Sequence, residues 1–121
     1  MMRKYLIPFS LPGLNEYIDA ERTHRQAGAA MKRKWQGAVM ACLRDKRPLE
    51  EPVKIGFVWI EKNRRRDPDN ISSFGRKVIL DALVKKKILQ NDGQRNITEF
   101  LGDKYDVGRP GIEVHIYERG E

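Results

Sequence analysis

Two carboxylates and three guanidinium groups stand together in the segment from residue 64 to residue 69. Asp67 and Asp69 are separated by one residue and follow directly on Arg64, Arg65 and Arg66. Carboxylate oxygens suit a hard cation such as Mg²⁺, whereas the planar fork of a guanidinium suits the oxygens of a phosphate. These residue types at this spacing can hold a metal ion and a phosphate of one substrate together, which is the chemistry of a metal-dependent nuclease centre.

The start of a helix is a simpler explanation of the same two aspartates. Asp67 fits an N-cap position, Pro68 the first helical position and Asp69 the first turn, where negative charge is favoured. The two interpretations are compatible, because a helix that begins after a strand ends holds its first carboxylates at an edge open to solvent. Spacing alone leaves both open.

More polar residues follow the aspartate pair at helical spacing. Asn70, Ser73, Lys77 and Asp81 are three, four and four residues apart, so they form one polar stripe along the predicted helix. The stripe also fits a solvent face with a Lys77–Asp81 ion pair, worth about 0.3 kcal/mol. Asp92 precedes a glycine and is typical of a turn.

Length and composition limit the class of protein. The chain has 121 residues, a net charge of +7 and one cysteine, Cys42. This length suits one core, so we expect a single domain over residues 1–121. A lone cysteine excludes an internal disulfide and a cysteine-based zinc site. No apolar run approaches the roughly 18 residues of a membrane span and no signal-peptide pattern is present, which predicts a soluble, cytoplasmic protein. The basic charge favours an anionic partner, whether nucleic acid, a membrane face or an acidic protein.

Hydrophobic periodicity predicts two main helices and four strands. The helices are expected over 26–46 and after Pro68, and a helical turn or short helix fits 14–19. The strands are expected over 4–9, 53–60, 96–106 and 111–118, with 53–60 central and a hairpin turn at 108–111 joining the last two. Trp35 and Trp59 fit the core, and His24 and His115 fit structural or exposed positions. The order β-α-β-α-β-β is typical of an α+β domain with a mixed sheet of about four strands, packed with two main helices.

The segment from residue 55 to residue 95 resembles the RusA family of Holliday junction resolvases, small endonucleases of phages and prophages. The similarity is carried by the arginine-rich Asp67-Pro68-Asp69-Asn70, by Lys77 four residues before Asp81-Ala82-Leu83, and by Leu89-Gln90-Asn91-Asp92. The segment Leu11–Asn15 is more loosely similar to the family's N-terminal proline- and asparagine-containing segment. Residues 71–76 add about one helical turn before the lysine compared with the family's best-known member, a shift of about 5 Å along the axis.

The resemblance implies a Mg²⁺-dependent endodeoxyribonuclease that resolves four-way DNA junctions in recombination and repair, with Mn²⁺ as a substitute metal. It implies that Asp67, Asp69 and Asp92 are the catalytic, metal-binding aspartates and that Lys77 is the catalytic lysine, with Arg76 as its competitor because of the extra turn. Asn70 and Asp81 would support these residues. A homodimer is implied as well, because two opposed cuts in a two-fold-symmetric junction need two sites.

Basic residues around this cluster are the predicted phosphate contacts, which set affinity without selecting a sequence. They are Arg64, Arg65, Arg66, Lys32, Arg33, Lys85, Lys86 and Lys87. The basic face of the helix predicted over residues 26–46 is equally well explained as a surface that only faces solvent. Arg65 or Arg66 has the alternative role of neutralising Asp67 and Asp69 in the free protein.

Two other functions fit the same residues. A basic phage protein could bind DNA without cutting it, and its acidic pair would then serve only as a helix cap. A nuclease with the same chemistry could act on flaps, replication forks or other branched DNA. A nucleotide-binding enzyme is disfavoured, because glycine-rich phosphate loops of the Walker or dinucleotide type are absent.

Overall fold

A computed structural model of the chain describes residues 2–120. The elements in order are β1 (Met2–Ile7), α1 (Leu14–Thr23), α2 (Arg25–Cys42), β2 (Val53–Glu61), α3 (Pro68–Lys85), β3 (Ile97–Val107) and β4 (Gly111–Tyr117). The predicted α+β class with a four-stranded mixed sheet is confirmed, and the helical turn expected near residue 14 is a full third helix. Within the described part of the chain, no helix is long and apolar enough to cross a membrane.

Helix α2 ends at Cys42, four residues before its predicted end at residue 46. The backbone beyond it is held by strand β1, because the Tyr5 hydroxyl donates to the carbonyl of Asp45 and the Arg3 guanidinium donates to the carbonyl of Arg47. These side chains satisfy carbonyl groups that would otherwise belong to another helical turn.

The sheet order is β1-β4-β2-β3, so β2 lies inside the sheet as predicted. Strands β2 and β3 are parallel, and α3 makes the crossover that a parallel pair needs. Strand β4 runs antiparallel to both β1 and β2. The predicted hairpin of the last two strands is wrong: their turn passes over the end of β2, where the Gly108 N–H donates to the Glu61 carbonyl at 2.9 Å. Turn residues at 108–111 specify a reversal of the chain, but β2 pairs along both its edges and therefore lies between β3 and β4.

The helices cover one face of the sheet. Val53, Ile55, Phe57 and Trp59 alternate along β2 into a core shared with α2 and α3. Trp59 is buried as predicted, and Trp35 packs at the edge of this core. The histidines have local partners: His24 accepts the Gln26 N–H and so caps α2, and His115 contacts Glu113 on the opposite face of the sheet.

Candidate active site

The aspartate pair lies where β2 gives way to α3, at an exposed corner of the domain. Asp67 occupies the predicted N-cap position with an extended backbone, and Pro68 begins the helix. From the residues that the structure describes, however, the Asp67 carboxylate accepts no capping hydrogen bond. Asp69 is exposed in the first turn. The backbone therefore has the geometry of a capped helix start, while the Asp67 side chain remains available for another partner.

The three arginines before the pair differ in exposure and in hydrogen bonding. Arg64 and Arg65 are exposed, whereas the Arg66 guanidinium donates to Glu61 Oε1 at 2.9 Å and to the Leu11 carbonyl at 3.2 Å. Arg66 thus ties the end of β2 to the segment before α1. Arg66 therefore has a structural role in the free protein, and its carboxylate partners are Glu61 and, at 3.9 Å, Glu16, and not Asp67 or Asp69.

Asn70 joins the N-termini of two helices. Its side-chain Oδ1 accepts the backbone N–H of Asn15 at 2.8 Å, so the first turn of α3 satisfies a free donor at the start of α1. Gly13 lies against this contact, and a Cβ there would come within 2.6 Å of Arg66 Nη2 and 2.7 Å of Asn70 Oδ1. A larger residue at position 13 would displace the Arg66 and Asn70 side chains, which hold the segment Leu11–Asn15 against the start of α3.

Lys77 lies further along α3 between two carboxylates. Its Nζ is 3.2 Å from Asp81 Oδ1, the intrahelical pair expected from spacing, and 3.2 Å from Asp92 Oδ2. Hydrogen bonds to Asp92 and then to Asp81 raise the pKa of Lys77 above its ordinary value. Lys77 is therefore an ammonium ion at neutral pH, which suits it to stabilise negative charge and not to accept a proton.

Arg76 points to a different part of the fold. Its guanidinium forms an ion pair with Asp103 on β3 and lies over the rings of Phe57 and Phe100, 5.6 Å and 5.2 Å from their centroids. Asp103 also accepts the Trp59 indole N–H at 2.8 Å. Arg76 holds α3 against the sheet and is not available beside Asp92, which favours Lys77 for the lysine role.

The loop that carries Asp92 is fixed by one glutamate before β2. Glu51 accepts the backbone N–H of Gln90 at 2.8 Å and the side-chain N–H of Asn96 at 2.7 Å. These bonds hold the loop on both sides of Asp92. The role of Glu51 could not be predicted from the sequence, because its partners are 39 and 45 residues away along the chain.

A buried glutamine on α2 is another residue that sequence reasoning missed. Gln36 is 5% exposed and donates from Nε2 to Asp81 Oδ2 at 3.1 Å, while its Oε1 accepts from Lys85 Nζ at 2.6 Å. Lys32 Nζ also approaches Asp81, at 4.0 Å. Gln36 lies three residues before the buried Val39, so a polar residue on the core-facing stripe of α2 was the available signal.

The predicted phosphate contacts occupy several parts of this surface. Lys32 and Lys85 reach the Asp81–Gln36 cluster, and Arg64 and Arg65 lie before the other end of α3. Arg33 and Lys87 are exposed, and Lys86 is the C-cap of α3 and half-buried. Helix α3 has 18 residues and is thus roughly 27 Å long. Basic side chains lie near both of its ends, and the carboxylates and Lys77 lie between them.

The three aspartates that the resemblance implies as metal ligands do not form one cluster. Over residues 2–120, no three histidine, cysteine, aspartate or glutamate side chains lie close enough together to hold a metal ion. Asp92 contacts Lys77, whose backbone is roughly 12 Å further along the α3 axis than that of Asp69. The structure therefore groups Asp67 with Asp69, and Asp92 with Lys77 and Asp81.

The aspartate pair nevertheless has the donors that Mg²⁺ requires. This ion commonly takes one or two carboxylates and completes its octahedron with water and phosphate oxygens of the substrate. Asp67 and Asp69 are exposed, and within residues 2–120 neither forms a salt bridge. Two unengaged carboxylates at an open helix start fit this kind of site.

Comparison with known protein families identifies the family of this chain. A family model described as Endodeoxyribonuclease RusA matches residues 13–117 of the 121-residue chain. A search of curated proteins found no match. The matched range begins at Gly13 and contains the aspartate pair, Lys77 and Asp92, together with the contacts that hold them. The chain therefore belongs to the RusA family of endodeoxyribonucleases, enzymes that act on DNA junctions.

Proposed function

We propose that the chain is a Mg²⁺-dependent endodeoxyribonuclease that resolves four-way DNA junctions in recombination and repair by paired phosphodiester hydrolysis. The observation that carries the proposal is the pair of carboxylates, Asp67 and Asp69, at the start of the helix that carries the cationic Lys77; within residues 2–120 neither carboxylate forms a salt bridge. The resemblance implies Asp92 as a third carboxylate, which would reach the metal only after leaving its present contact with Lys77. Mn²⁺ would substitute for Mg²⁺, because both are hard cations that take oxygen ligands.

Each group has a distinct part in this reaction. A bound Mg²⁺ would lower the pKa of a coordinated water and neutralise charge on the phosphate. Arg64 and Arg65 would hold phosphate oxygens of the strand, since their guanidinium groups are exposed next to the carboxylates. Lys77 would stabilise the negative charge that develops during hydrolysis, which its raised pKa permits. The products would carry 5′-phosphate and 3′-hydroxyl ends, so the nicks would be ligatable.

A cleavage assay on labelled DNA tests the proposal. The expected result is symmetric nicking of a mobile four-way junction in Mg²⁺ or Mn²⁺, no nicking with a chelator, and repair of the nicks by ligase. Faster cleavage of flaps or forks than of the junction would support the nuclease of other branched DNA instead. Tight junction binding without any nicking in Mg²⁺ or Mn²⁺ would support the non-catalytic binding protein.

Arg64 and Arg65 are expected to contribute to affinity through phosphate contacts. Each contact to a duplex phosphate contributes about 0.9 to the slope of log affinity against log salt concentration. Replacing both arginines by glutamine should therefore reduce the slope by about 1.8. Junction binding measured over a salt series without Mg²⁺ checks this. The same double change at Arg22 and Arg25, which are also exposed, is the control; equal slopes for the wild type and the Arg64/Arg65 variant would remove both residues from the interface.

The proposed enzyme acts as a homodimer, with one site for each of the two opposed cuts. The sheet face away from the helices carries an exposed leucine on each edge strand: Leu6 on β1 is 60% exposed, and Leu101 on β3 is 46% exposed and packs over Gly56. Sedimentation should give a dimer for the wild type and a monomer when both leucines are replaced by lysine. A wild type that sediments as a monomer with and without junction DNA would contradict the dimer.

A further inference from the structure

The side chain of Gln36 connects α2 to the polar residues of α3 through both ends of its amide. A side chain that is 5% exposed has little access to water, so its donor and its acceptor need partners in the protein. Both have them: Nε2 donates to Asp81 Oδ2 at 3.1 Å, and Oε1 accepts from Lys85 Nζ at 2.6 Å. A buried amide with both ends engaged is a rigid connection between its two neighbours.

The neighbours determine which way the amide points. A carboxylate only accepts hydrogen bonds and an ammonium only donates them, so the NH₂ group must face Asp81 and the oxygen must face Lys85. A glutamate at this position would place a like charge against Asp81, and a methionine of similar size would lose both bonds. A carboxamide is therefore the side chain that satisfies Asp81 and Lys85 together.

The contact with Gln36 determines how Asp81 presents its other oxygen. Asp81 Oδ2 accepts from Gln36, while Asp81 Oδ1 lies 3.2 Å from Lys77 Nζ. The Lys77 side chain is 51% exposed, and within residues 2–120 it is held by Asp81 and Asp92. Under the proposed function, Asp92 is also a metal ligand, and a carboxylate oxygen that binds a cation is a weaker acceptor for an ammonium. Asp81 is then the anchor of Lys77 that remains.

From these contacts we infer that Gln36 is a positioning residue, which acts through Asp81 to hold the Lys77 ammonium in the position from which it stabilises charge during hydrolysis. This inference rests on the proposed function, since it assigns to α2 a part in the same reaction. A displacement of about 1 Å in a catalytic group can cost about 10²-fold in rate. Loss of Gln36 should accordingly lower the rate of the chemical step and leave junction affinity nearly unchanged.

The test replaces Gln36 by methionine, with Gln26→Met as the matched control on an exposed position of the same helix. Single-turnover cleavage with enzyme in excess gives the rate of the chemical step, and binding without Mg²⁺ gives the affinity. We expect the rate of Gln36→Met to fall by tenfold or more, with less than a twofold change in affinity and no change for Gln26→Met. Equal rates for the wild type and a folded Gln36→Met would overturn the inference.

A second variant tests whether Gln36 acts through Asp81. If it does, the fold-loss in rate of the double variant Gln36→Met/Asp81→Asn should be smaller than the product of the two single losses, because residues in one network show coupling. Losses that multiply in full would contradict this connection. Should Gln36→Met fail to fold, Gln36→Glu keeps the size and the Lys85 contact and takes its place, and the same loss is expected.

A measurement on the metal-free protein separates this inference from the proposed function. Nitrogen-15 relaxation reports the order parameter of the Lys77 ammonium group, which should fall in Gln36→Met and stay unchanged in Gln26→Met. An unchanged order parameter in both variants would overturn the inference whatever the enzyme cuts. A wild type that cleaves no DNA, with the order parameter falling as expected, would refute the proposed function alone.

Discussion

Replacing Asp69 by asparagine is expected to lower the rate of junction cleavage by about 10²–10³-fold, the effect of removing one group that stabilises charge in a transition state. Asparagine keeps the size of the side chain and removes the negative charge that a hard cation requires. The fold should be nearly unaffected, because Asp69 is exposed and an acidic residue in the first helical turn contributes only about 0.3–1 kcal/mol. The measurement is single-turnover cleavage of a labelled junction in Mg²⁺, together with thermal unfolding of each protein.

Asp19→Asn provides the control for the loss of one negative charge. Asp19 is exposed on α1, where its carboxylate belongs to no predicted site. Its replacement should leave the cleavage rate unchanged. If Asp69→Asn cuts the junction as fast as the wild type and Asp19→Asn do, Asp69 does not bind the catalytic metal.

Replacing Lys77 by methionine should also reduce cleavage by about 10²–10³-fold, with a much smaller effect on junction binding. Methionine keeps the unbranched aliphatic chain and loses the ammonium that lies 3.2 Å from both Asp81 and Asp92. Lys77 is about half exposed, and surface ion pairs contribute about 0–1 kcal/mol, so the protein should remain folded. Rates and affinities of the two proteins at one temperature, well below unfolding, provide the comparison.

Arg76→Met separates the two candidates for the lysine role. Arg76 contacts Asp103 and two aromatic rings, so its loss should lower the unfolding temperature. The cleavage rate of the folded variant should stay close to that of the wild type. Loss of cleavage in folded Arg76→Met, with normal cleavage by Lys77→Met, would reverse the assignment.

Local patterns in the sequence were sufficient to predict α3 and β4. Asp67-Pro68 starts the helix, and Ile71, Phe74 and Val78 recur on its buried face at helical spacing. Strict alternation from Ile112 to Ile116 likewise specifies a strand with one buried face. Such patterns involve residues that are close together in the sequence, so they can be recognised without knowledge of the fold.

The pairing of β3 with β2 could not be predicted in the same way. A turn at 108–111 specifies that the chain reverses, and it carries no information about a strand that lies between the two arms. The parallel partner of β3 is set by the α3 crossover, and β4 then occupies the other edge of β2. Sheet order depends on long-range packing, whereas turn chemistry is local.

The partners of charged residues were the least predictable part of the candidate site. Arg76 pairs with Asp103 and Gln36 with Asp81, contacts that span 27 and 45 residues. The Lys77–Asp81 pair was predictable because it spans one helical turn. Resemblance to a family identified the candidate carboxylates, but it could not show that Arg66 is engaged by Glu61 or that Gln36 contacts Asp81.

In the proposed enzyme, the pair Asp67 and Asp69 at the start of α3 holds the divalent cation. The most direct measurement is anomalous diffraction from crystals soaked in Mn²⁺, at a concentration that supports junction cleavage in solution. The expected result is a Mn²⁺ peak bound by oxygens of Asp67 and Asp69, which is lost in Asp69→Asn. Mn²⁺ bound elsewhere in the protein, with no peak at this pair in a cleavage-competent enzyme, would contradict the claim.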